Sequence, residues 1–160
     1  MSDSLRHQIL QEMLATFTAV TPSSPPDDDG YPFQFSLVEL GALGDADHRK
    51  RYSLGIVPGA ERYAYSYPFI ERFLTVGIEM RVTVNRDDDK PGHLAERLLF
   101  VVERVVMQNC TWGGLAIDTN FKNNELGMQS YVDKTVDGVL WIEIHYRHQQ
   151  GDPRDPDPSL

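Results

Sequence analysis

The chain has 160 residues, 41% of them apolar, which is enough to bury a sizeable core in one domain of mixed helix and sheet. Its 24 Asp and Glu against 15 Lys and Arg give a formal charge of −9, which argues against a protein that wraps DNA by neutralising phosphates. The single cysteine, Cys110, excludes an internal disulfide and a multi-cysteine zinc site and reads as a small packing residue. No apolar run approaches the ~18 residues of a membrane helix and no signal-peptide pattern opens the chain, so the sequence reads as soluble and cytosolic, with no membrane partner.

In chain order, Leu5, Ile9, Leu10, Met13, Leu14 and Phe17 recur at helical spacing and predict an amphipathic helix from about Asp3 to Val20, capped by Asp3 or Ser4. Thr21–Gly30 holds three prolines and three aspartates and reads as a loop. Asp27, Asp28 and Asp29, like Asp87, Asp88 and Asp89 further on, read as solvated acid rather than a metal site, since no ligand spacing follows them. Phe33 to Leu40 alternates as a strand, and a long loop then carries His48, Arg49, Lys50 and Arg51. That basic run fits a solvated loop, a nucleic-acid contact or the acidic patch of a protein partner.

Tyr52 to Val57 predicts a short strand, Pro58-Gly59 a turn, and Glu61 to Tyr67 a second strand, together a hairpin. Its row of Tyr63, Tyr65 and Tyr67 reads either as a recognition surface or as a cross-strand ladder packing the sheet. The long alternation from Phe73 to Val84 predicts a central strand. Pro91, with acids before it, opens a second helix whose stripe is Leu94, Leu98, Val101, Val102, Val105 and Val106. The block Trp112-Gly113-Gly114 turns the chain into a strand from Leu115, with Asn123, Asn124 and Gly127 permitting a bend or bulge. A closing strand, Val139 to Arg147, puts Leu140, Ile142, Ile144 and Tyr146 on one face and Trp141, Glu143, His145 and Arg147 on the wetter one. The expected architecture is therefore α+β: a mixed, mainly antiparallel β-sheet packed against two amphipathic helices. Residues 1–148 form one domain, and 149–160 are a flexible Asp- and Pro-rich tail.

No phosphate loop, H-E-x-x-H or G-x-S-x-G stands in the chain, and no nucleophile sits at recognisable spacing from a base. His145 and His148 fall on opposite faces of a strand, and His7, His48 and His93 are isolated. The expectation is a protein without a catalytic residue, metal or cofactor.

The order of these elements, with the block Cys110-Thr111-Trp112-Gly113-Gly114-Leu115-Ala116-Ile117-Asp118 and the closing strand Trp141 to Arg147, resembles the tail terminator proteins of tailed bacteriophages, the minor tail protein U-like group, over residues 3–148. The resemblance implies a structural protein of the virion tail or neck, assembled in the host cytoplasm. Its homohexameric ring would cap the tail tube protein, end tail polymerisation and join the head-tail connector or stopper protein. A sheath protein would be a further partner if the tail is contractile, and DNA would pass the lumen without specific binding. A heterologous contact that closes is the physical requirement for such a ring. A head-tail stopper or completion protein is the neighbouring reading, and a small-molecule-binding or enzymatic domain is the reading from another class. The candidate interface residues are Asp27, Asp28, Asp29, His48, Arg49, Lys50, Arg51, Tyr63 and Tyr65. This chain departs from the simplest family members in its acidic Pro-rich loop, its long Gly41–Tyr52 loop and its tail.

Overall fold

The computed structural model describes residues 3–22, 30–44, 51–84, 90–130 and 135–154. Helix α1 (Leu5–Thr18) starts where expected, with the Ser4 hydroxyl accepting from the His7 backbone N–H at 3.3 Å. Its buried residues Leu5, Ile9, Leu10, Met13 and Phe17 follow one helical face. Helix α2 (Pro91–Gln108) begins on Pro91 and buries the expected stripe, extended by Ala95 and Leu99. Both helices lie on one face of a five-stranded sheet and share a single core with it.

The sheet consists of β1 (Leu37–Leu40), β2 (Tyr52–Ser66), β3 (Phe69–Thr83), β4 (Asp118–Ser130) and β5 (Thr135–Gln149), in the order β1-β2-β3-β5-β4. Every pair is antiparallel except β1 with β2, so the fold is α+β with a mixed, mainly antiparallel sheet. Strand β3 is central, and its Leu74, Val76, Ile78, Met80 and Val82 are buried against the helices. Helix α1 covers β1 and β2, and α2 covers β3, β5 and β4.

Several elements differ from their sequence expectation. Phe33 and Phe35 are not strand residues: Phe33 stacks flat on Tyr52 at 3.9 Å, and Phe35 meets Phe17 edge-on at 6.0 Å, so both rings plug the end of α1 and β1 is only four residues long. Pro58-Gly59 is not a turn. Strand β2 runs through it as a bulge in which Gly59 and Ala60 together face Thr75 alone, and the hairpin reverses instead at Tyr67-Pro68, joined by a cis peptide. Because β1 ends opposite Ile56, no β1 residue pairs with Pro58, so its missing N–H costs no ladder bond there.

The strand expected from Leu115 starts at Asp118. Trp112, Gly113 and Gly114 have φ of 46°, 69° and 83°, and the turn they begin continues through Ala116, whose N–H donates to Thr111 O at 2.9 Å. Trp112 is fully buried there, beside Phe17, and its indole N–H donates to Thr119 Oγ1 at 3.0 Å. That hydroxyl donates in turn to Cys110 O at 2.7 Å, so the turn fastens α2 to β4 beneath α1. The bend foreseen in β4 is a bulge between Phe121 and Asn123.

At the C-terminal end, β5 reaches Gln149 and the chain then folds back. Gln150 N–H donates to Pro68 O at 2.9 Å, and Pro153 O accepts from Leu5 N–H at 3.0 Å. The first part of the tail is thus seated between the β2–β3 turn and the start of α1. Residues 155–160 lie outside the described residues, as do most of the Thr21–Gly30 loop, the 45–50 segment and Asp87–Asp89.

Candidate functional site: a braced tyrosine hairpin

Alternation along β2 sets its side chains to the two faces of the sheet, and the bulge at Gly59-Ala60 shifts that alternation by one. Glu61, Tyr63 and Tyr65 consequently lie on the helix side, in register with Leu74, Arg72 and Ile70 of β3. Neither helix extends over the outer part of this hairpin, and the rings stand in solvent: Tyr63 is 56% exposed, Tyr65 81% and Tyr67 89%. Their partners across the strand are Arg72 and Ile70 rather than aromatic rings, so no packing ladder forms. The Arg72 guanidinium lies 4.8 Å from the centre of the Tyr63 ring and holds it in place.

The root of the hairpin is fixed by a charged cluster. The Glu61 carboxylate, with a side chain only 5% exposed, accepts from Arg72 Nη1 at 3.1 Å and from the Tyr146 hydroxyl, and Arg6 Nη1 of α1 stands 3.7 Å away. Arg72 Nε donates to His148 Nε2 at 2.8 Å, while His148 Nδ1 faces Gln149 O at 2.8 Å. Burial, followed by the hydrogen bond to the Glu61 carboxylate, pushes the Tyr146 hydroxyl far above the usual phenol range, so it remains a donor. Four segments meet here: α1, β2, β3 and β5. A buried carboxylate surrounded by such donors is costly to disturb one partner at a time, which makes the cluster a brace.

The face of the sheet away from the helices carries a second set of charges. Glu143 accepts from Arg62 at 3.3 Å and from Lys122 at 3.2 Å; burial raises its pKa, but these two cations outweigh that effect and hold it below the usual carboxylate value. Glu71 pairs with His145 and lies 3.8 Å from Arg147 Nη1. Arg62, Phe73 and His145 form a stack, with Arg62 3.7 Å above the Phe73 ring and Phe73 4.4 Å from His145. Trp141 lies across Gly77, where an added Cβ would come within 2.8 Å of the indole.

A hollow of about 420 Å³ opens between Leu43 and strands β3, β4 and β5, lined by Glu79, Arg81, Glu125 and Asp137. Three of its charges are engaged: Arg81 donates to Asp137 at 2.8 Å and to Gly44 O at 2.9 Å, and Glu79 accepts from Leu43 N–H at 2.9 Å, while Glu125 is exposed. Among the described residues, no three His, Cys, Asp or Glu are grouped to hold a metal ion.

No family model and no curated protein matches the chain.

Of the residues singled out in the sequence, the structure brings Tyr63 and Tyr65 together at the hairpin. Arg51 sits at the far end of β2, near the Tyr52 ring; twelve residues of strand at about 3.3 Å each put it roughly 40 Å from Tyr63. Asp27, Asp28, Asp29, His48, Arg49 and Lys50 lie outside the described residues. The brace itself was missed. Its one visible signal is polarity at core-parity positions: a lone Tyr146 ends an aliphatic face, and Glu61 and Arg72 fall on the same side once the bulge is known.

Proposed function

We propose that this chain is an assembly protein of the tail terminator type, acting by contact rather than by chemistry. Six copies would form a ring at the end of a phage tail tube, stopping its growth and presenting a surface to the head-side connector. The observation that carries this reading is the hairpin. A rigid, charge-braced β-ribbon displaying three exposed tyrosines is what a protein contact uses, because these rings supply large area at low entropic cost. The α+β fold and the Trp-Gly-Gly turn between α2 and β4 support the resemblance to that family. On the open face cations alternate with carboxylates along neighbouring strands, a pattern compatible with a lumen that DNA passes without being gripped.

The experiment is the mass of the purified protein alone and mixed with tail tubes, by light scattering and negative-stain imaging. A six-fold ring, free or seated at tube ends, is the expected result. Tyr63→Ala with Tyr65→Ala should abolish it while leaving the far-ultraviolet circular dichroism unchanged. A monomer that ignores tubes overturns the reading.

A further inference from the structure

The two outer strands of the sheet are unequal. Strand β1 is four residues long and pairs with Ser53–Ile56 of β2, so residues 57–66 of β2 pair with β3 on one side and have no strand on the outer side among the described residues. At the other edge β4, thirteen residues long, pairs only with β5 among the described residues. Folded proteins commonly guard such edges by keeping them short, charged or covered, because their unpaired N–H and C=O groups template the addition of another strand. Here the β2 edge is ten residues long and bears Tyr63 and Tyr65, while the β4 edge exposes Phe121, 43% accessible, among asparagines.

We infer that the strand completing the β2 edge is β4 of a second copy of this chain, so that one sheet runs from subunit to subunit. This deepens the assembly reading by naming the partner of the hairpin edge. Direction supplies the first argument. Strand β2 is antiparallel to β3, β3 to β5 and β5 to β4, so β4 runs opposite to β2. A neighbour in the same orientation, with its helices on the same side, therefore brings β4 antiparallel to β2, the more favourable ladder.

Side-chain match supplies the second argument. Phe121 is in register with Ile142 and Tyr65 with Ile70, which puts both rings on the helix side of the sheet. Setting Tyr65 beside Phe121 buries two exposed aromatic surfaces against each other across the new pair. The same register, carried past the bulge at Lys122, sets Tyr63 beside Asn124 and exposed Arg62 beside exposed Glu125. Like charges do not oppose one another in it. Since a β2 edge meets a β4 edge, the contact is heterologous, each added copy offers the edge the next one needs, and a suitable rotation closes a ring.

Cysteine cross-linking of the full chain, in a Cys110→Ser background, tests the pairing. In this register Ser66 and Asn120 are opposed, and both are exposed. Ser66→Cys and Asn120→Cys proteins, oxidised separately under mild conditions, should form no disulfide-linked dimer on a non-reducing gel. Mixed, they should form a covalent dimer that stops there, and a chain carrying both cysteines should give a ladder of oligomers. Cross-linked homodimers of either single variant, or no ladder from the double variant, overturn the inference. Arg62→Glu and Glu125→Arg should each weaken self-association at least tenfold, and the two together should restore it; failure of that rescue also counts against the register. No tail tube enters these assays. A ladder with no tube capping would retain the pairing and sink the terminator reading, and capping with no ladder would do the reverse.

Discussion

The two faces of this sheet are made by alternate residues of the same strands, yet they are held by different physics. On the helix side Leu74, Val76, Ile78, Ile142 and Ile144 are buried under α1 and α2, and their removal from water is what stabilises the fold. On the open side Arg62, Lys122, His145 and Arg147 are matched to Glu71 and Glu143; the two carboxylates are largely covered while Arg62 and Lys122 stay well exposed, so desolvation offsets much of what each pair contributes. Apolar burial thus dominates one face, and paired charges with a few stacked rings cover the other. At the hairpin the two regimes meet: Glu61 and Tyr146 lie on the helix side but beyond the aliphatic core, and there a charged cluster takes over from apolar packing.

The largest loss is expected on the apolar face. Ile142→Ala, in the middle of β5, should cost about 2–5 kcal/mol of unfolding free energy in a urea titration, whereas Glu71→Gln on the opposite face should stay within about 1 kcal/mol. Equal losses would mean that the open face is no ordinary surface. Next in size, Tyr146→Phe removes a donor from the buried Glu61 carboxylate and should cost about 1–3 kcal/mol. Amide hydrogen exchange should then quicken selectively along 61–74, since the brace lies at the root of that hairpin; uniform quickening would deny it a local role. The smallest effect is a matter of pH. The folded pKa of Glu143 is depressed, so its stabilising pairing is complete above the ordinary carboxylate value of 4.5 and is lost as pH falls through the lower folded value. Glu143→Gln should therefore be slightly less stable than the parent at pH 7 and match it more closely at the acid end; a constant difference across pH would assign the effect to packing.

Periodicity carried most of the architecture. The stripe of α2 and the alternations of β3 and β5 are long, and one buried face dictates each of them, so their type and inward residues are legible directly. What depends on a partner distant in sequence is not. The aromatic run at Phe33 and Phe35 alternates like a strand, but its rings are claimed by Tyr52 and Phe17. Pro58-Gly59 carries a turn signature, yet a bulge accommodates both residues because the neighbouring strand has already ended. That single extra residue decides which side Glu61 and the tyrosines face. The brace was therefore hidden, although each of its members is plain in the sequence.

The hydrogen bond from Leu5 to Pro153 gives the chain a clasp, because the first turn of α1 takes one of its four orphan N–H groups to the first part of the tail. The first and last described segments of the chain therefore meet at one corner of the fold. A circular permutant that links residue 154 to residue 3 through a few glycines and reopens the backbone in the exposed Gly113-Gly114 turn would retain every strand of the sheet, with both of its ends moved to the far side of α1.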